Sequence, residues 1–64
     1  MWTEIKRVRT LALAEMWKLY FEGEGIPARI MPEGEEKVGG ELTDYLILVP
    51  EDRIHVAEEV LRKL

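Results

Sequence analysis

Apolar positions along the chain change period several times, and each change marks an element. Tyr45 to Val49 reads YLILV, a short apolar run that predicts a strand, and Pro50 predicts its end. From Glu51 to Leu64 the residues Ile54, Val56, Ala57, Val60, Leu61 and Leu64 recur at helical spacing. They cover about 160° of a helical wheel, the ordinary width for a helix lying on a sheet. Leu11 to about Glu24 is greasier. There Ala12, Leu13, Ala14, Met16, Trp17, Leu19, Tyr20 and Phe21 spread over about 220°, leaving Glu15, Lys18 and Glu22 as a narrow polar stripe.

The boundaries of that first helix are written in its flanking residues. Thr10 is a side-chain cap for the free N–H groups at its start. Gly25 lies just past its end, where a residue with positive φ is wanted, and Gly23 either belongs to the last turn or ends it early. Ile26, Ala28 and Ile30 then alternate with Pro27, Arg29 and Met31, the period of a half-buried strand. Pro27 has no N–H for a ladder, which places this strand at a sheet edge or turns the prolyl nitrogen outward. Residues 2–9 predict a first strand in which Trp2, Ile5 and Val8 do not alternate cleanly.

The order is β-α-β-β-α, without internal repeat. It predicts one small α+β domain, a ferredoxin-like βαββα unit with a three-stranded antiparallel or mixed sheet and two helices on one face. A right-handed first crossover places the third strand between the first and second. With the chain ending at Leu64, the first strand is expected to keep a bare edge.

This pattern leaves apolar surface over. Ala14, Trp17 and Phe21 are the expected core of the first helix, with Met16, Leu19 and Tyr20 towards its rim. If Tyr45, Ile47 and Val49 face the helices, Leu46 and Leu48 point to the uncovered side, joined by Met31 and by Trp2. Exposed apolar patches of this kind mark contact surfaces. At about 25 cal/mol per Å², covering a few hundred Å² contributes several kcal/mol, comparable with the whole stability of so small a domain. The expected interface is therefore Met16, Leu19, Tyr20, Met31, Leu46 and Leu48, and the expected partner a second copy, a dimer above all, or another protein. The alternative is that a long side chain such as Arg29 folds over the patch.

Composition narrows the classes of function. With no cysteine, neither disulfides nor thiolate metal sites are available. The absence of Ser, Asn and Gln as well, beside abundant Glu, Lys and Arg, matches a thermophile pattern. Residues 33–44 carry Glu33, Glu35, Glu36, Glu41 and Asp44 against Lys37, which accounts for the entire net charge of −4. The remaining acids and bases cancel, and Lys6, Arg7 and Arg9 are too few for a nucleic-acid footprint. No apolar run approaches the roughly 20 residues that span a bilayer, and the start MWTEIKRVR has no signal-peptide core. The expectation is a cytoplasmic protein that binds neither nucleic acid nor membrane.

Candidate chemistry is sparse. His55 with Glu58 and Glu59 has the i, i+3, i+4 spacing of a metal face, against the simpler reading of a solvated helix surface. The acidic segment at 32–43 could hold a hard cation, but it lacks the pattern of a calcium loop and reads as a flexible connection. Its GEEKVGG stretch lacks the G-K-[ST] ending of a phosphate loop. A weak anion site remains at the first helix's N-terminus, with Arg9 and Thr10, unless Thr10 alone satisfies that end. No serine or cysteine nucleophile exists. No enzyme activity, metal or cofactor is expected.

Two blocks together resemble a known family. Ala14, Glu15, Phe21 and Glu22 lead into Gly25-Ile26-Pro27-Ala28, and an apolar strand later ends Val49-Pro50-Glu51-Asp52. The arrangement resembles a family of small prokaryotic signal-transducing proteins of unknown function, along nearly the whole chain. The resemblance implies a βαββα fold similar to the nitrogen-regulatory PII proteins and ACT modules, and a part in signalling as a regulatory, ligand- or protein-binding module.

Overall fold

A computed structural model describes residues 1–33 and 44–63. Strand β1 (Trp2–Val8), helix α1 (Leu11–Gly23), strands β2 (Arg29–Pro32) and β3 (Tyr45–Pro50), a single 3₁₀ turn at Glu51–Arg53 and helix α2 (Ile54–Lys63) follow in order. The sheet is antiparallel throughout and ordered β1-β3-β2, so β3 is central and the β1-α1-β2 connection spans it. The fold is therefore α+β, with three antiparallel strands and two helices. The acidic segment expected at 32–43 lies mostly outside the described residues, as does Leu64.

The helix boundaries follow from local chemistry. The Thr10 hydroxyl accepts a hydrogen bond from the Leu13 N–H at 3.1 Å, satisfying one of the free donors of the first turn. At the far end Gly25 takes φ +84°. Its N–H donates to the Glu22 carbonyl, and the Ile26 N–H donates to the Phe21 carbonyl. This is a Schellman ending, in which the residue after the glycine packs back on the helix. Ile26 and Phe21 are accordingly both buried.

One core lies on one face of the sheet. Ile47 and Val49 from β3, Ala14 and Phe21 from α1, and Ala57 and Val60 from α2 form a single buried cluster with Val8, Ile26 and Ala28. Both helices therefore cover the same face. Trp17 is half-buried against this cluster, meeting Phe21 at 5.9 Å and Tyr20 edge-on at 6.1 Å between ring centroids. Tyr20 is drawn further inward than its expected rim position, because it packs on both Trp17 and the core.

Four boundaries differ from expectation. Ile26 and Ala28 face inward with the predicted alternation, yet the β2 ladder begins only at Arg29. Pro27 thus precedes the ladder and removes no hydrogen bond from it. The turn Glu51–Arg53 is tighter than the α-helix expected there, and α2 proper starts at Ile54. The first strand stops at Val8 and α1 at Gly23. Val56, counted on the apolar arc of α2, is exposed.

The irregular alternation of β1 has a specific cause. Register with β3 shifts between Glu4 and Lys6, leaving Ile5 as an extra residue. A bulge of this kind reverses side-chain parity along the rest of the strand. Counting back by twos from the buried Val8 would put Glu4 and Trp2 beneath the helices. The bulge instead sets Glu4 opposite Leu48 on the open face, while Lys6 lies opposite the buried Ile47. Lys6 escapes burial of its charge by resting its ammonium over the Trp17 ring, 5.1 Å from the centroid.

Gly25→Ala tests the helix ending. A Cβ at Gly25 meets nothing within 4 Å, so the cost is that of left-handed backbone alone, about 1–2 kcal/mol. Urea denaturation should show that loss with an unchanged m-value.

Candidate functional site

Among the described residues no helix covers the sheet's second face. By strand pairing it presents three rows. Leu48 sits at the centre of one, between Glu4 of β1 and Arg29 of β2. Leu46 occupies the next, between Arg7 and Met31. Trp2 and Pro50 share the third. Leu46 and Leu48 are half-buried and do not belong to the core cluster, and Met31 is 48% exposed.

The polar groups around this apolar centre are arranged unequally. The Arg7 guanidinium lies 3.1 Å from a Glu33 carboxylate oxygen and 3.7 Å from one of Asp44. These pairs are solvent-exposed and contribute little to stability individually, but they neutralise Arg7 within the chain. Arg29 takes another course. It crosses β3 and stacks its guanidinium over the Trp2 ring, 4.7 Å from the centroid. The alternative of a covering side chain is thus met in part, over Trp2 alone, and Trp2 remains 37% exposed. Among the described residues Glu4 makes no ion pair.

A second apolar region adjoins the outer edge of β2. An open groove of about 430 Å³ is lined by Lys18, Ala28, Arg29, Ile30, Met31 and Leu48. A smaller one of about 330 Å³ is lined by Glu15, Lys18, Leu19 and Ile30. Lys18 lines both, and its ammonium is held by Glu22 at 2.9 Å, one turn along α1. On α1 itself Met16 is 49% and Leu19 68% exposed. Of the residues expected at an interface, Leu46, Leu48 and Met31 share the open sheet face. Leu19 borders the β2 edge, Met16 lies on the exposed side of α1, and Tyr20 belongs with the core.

The remaining candidates stand apart. Arg9 and Thr10 are exposed at the start of α1, where the Thr10 hydroxyl is engaged by the Leu13 N–H. His55, Glu58 and Glu59 are exposed on α2. Among the described residues no three His, Cys, Asp or Glu side chains gather closely enough to hold a metal ion. No described helix is long and apolar enough to cross a membrane.

Two features of the open face depend on the bulge in β1. Glu4 lies there only because of the bulge at Ile5, which shows in the sequence only as the broken alternation of Trp2, Ile5 and Val8. Arg29 was legible from the alternation of its neighbours, but its Trp2 partner again depends on the bulge. No family model, characterised protein or solved structure matches this chain at a significant level.

Thr10→Ala should cost about 1 kcal/mol of stability in chemical denaturation by removing the cap. Thr10→Ser should recover most of it. An unchanged stability in Thr10→Ala would mean that the hydroxyl is not the cap.

Proposed function

We propose that this chain is a non-catalytic regulatory module, a cytoplasmic homo-oligomer that recognises a small ligand or a protein partner. The observation that carries the reading is the uncovered sheet face with Leu46, Leu48 and Met31 at its centre. A domain of this size holds only a few kcal/mol of net stability from one core. Covering a second apolar face on association adds stabilisation that the isolated chain lacks. The ferredoxin-like βαββα arrangement, and the Gly-Ile-Pro-Ala and Val-Pro-Glu-Asp blocks that resemble small prokaryotic signal-transducing proteins, favour a role in signalling. That part of the reading rests on analogy of fold and motif.

A second reading, an interaction domain with no small-molecule ligand, is favoured by the start of α1. Its cap is supplied by Thr10 of the chain itself, and of the cations expected nearby Arg7 is paired with Glu33 and Asp44.

Light scattering across about 10 to 1,000 µM checks the homo-oligomer half of the first reading. The mass should rise towards twice the 7.5 kDa of the chain. A constant monomer mass would contradict it and leave the interaction domain, whose partner is another protein, standing. Thermal melts with nucleotides, amino acids and inorganic phosphate separate them, since a ligand bound to the native state raises the melting temperature. A shift supports the ligand-binding module, and no shift with any compound supports the interaction domain.

A further inference from the structure

We infer that the open sheet face binds a second copy of the chain about a two-fold axis running along β3, with Glu4 of each copy opposite Arg29 of the other. The inference rests on the homo-oligomer reading and specifies its geometry. Its basis is the register on either side of Leu48. Glu4 pairs with Leu48 from β1, and Arg29 pairs with Leu48 from β2. One acid and one base therefore flank the same central leucine, on opposite sides, each about 5 Å from it by strand spacing.

A closed dimer uses the same patch on both copies, so the patch must complement itself. Two simple two-fold arrangements bring such faces together. An axis across the strands through Leu48 sets Glu4 against Glu4 and Arg29 against Arg29, which is repulsive. An axis along β3 exchanges the positions of β1 and β2. Glu4 then meets Arg29 twice, Leu48 meets Leu48, and Leu46 meets Leu46. The Met31 side chain faces the stem of Arg7, whose charge is already held by Glu33 and Asp44. Strands in the two sheets run in nearly the same direction, the common aligned packing of sheets about 10 Å apart. Only the second arrangement buries the leucines without opposing like charges.

In the single chain Arg29 stacks on Trp2. Cation–π contacts at exposed sites are among the weaker ones, so the guanidinium is readily exchanged onto a carboxylate of the partner. That exchange also uncovers Trp2 and Leu48 for the contact. At about 5 Å between strands and about 3.4 Å per residue, three strands of this length present a face of roughly 300 Å², below the roughly 800 Å² per partner of a standard interface. Association is therefore expected to be weak and to depend on concentration and salt.

Charge exchange provides the test, read by sedimentation equilibrium at low salt. Glu4→Arg and Arg29→Glu should each lower the dimerisation constant about tenfold, because each change acts twice in a symmetric dimer. The double variant Glu4→Arg with Arg29→Glu should return close to the wild-type constant, although it cannot restore stacking on Trp2. Circular dichroism checks that each variant is folded. Where a reversal unfolds the chain, Glu4→Gln and Arg29→Gln replace it, each expected to weaken association a few-fold. A dimeric wild type whose association ignores these changes, or whose double variant is not rescued, overturns this geometry while leaving the homo-oligomer reading intact. A wild type that stays monomeric overturns both.

Discussion

The central strand of a three-stranded sheet has two faces, and the helices of this chain cover one. β3 is apolar on both. Ile47 and Val49 are wholly buried under α1 and α2, while Leu46 and Leu48, one residue out of phase, lie on the side without helices. Among the described residues no further element covers that side. The Arg29 side chain lying over Trp2 and the opposite charges flanking Leu48 both belong to that unmatched face.

The core that does form is fixed by a few local devices. Thr10 starts α1 and the Gly25 ending turns the chain so that Ile26 packs against Phe21. A further tie comes from Arg53, whose guanidinium donates to the Gly25 carbonyl at 3.2 Å and joins the turn before α2 to the end of α1. The bulge in β1 has the widest consequences. It lets Ile5 pack against the core, sends Lys6 to the Trp17 ring, and moves Trp2 and Glu4 to the opposite face. A regular strand would have placed a carboxylate beneath the helices, where an unpaired charge is costly.

Much of this was legible in the residues, for identifiable reasons. The period-two pattern of β3, the Thr10 cap and the Gly25 ending are local signals whose chemistry does not depend on distant contacts. The strand order followed from connection length and handedness. What escaped was non-local. Whether Ile26 and Ala28 belong to a ladder depends on where β3 begins to pair, and Tyr20 is drawn inward by Trp17 rather than by its own angle on the wheel. The open face was foreseen through Leu46, Leu48, Met31 and Arg29, but the place of Glu4 was not, because parity in β1 turns on one unpaired residue. For α2 the His55 face gave no further structure to interpret, and the turn at Glu51–Arg53 shows that a helical wheel does not fix where a first turn tightens.

The central claim is that Leu46 and Leu48 lose contact with water when two chains meet, whereas Ile47 and Val49 are sheltered in either state. Methyl NMR with a soluble paramagnetic probe, recorded across a dilution series, measures this residue by residue. The account predicts strong relaxation enhancement at Leu46 and Leu48 in dilute samples that falls as concentration rises, with Ile47 and Val49 weakly affected throughout. Equal enhancement at Leu46 and Leu48 at every concentration would contradict it.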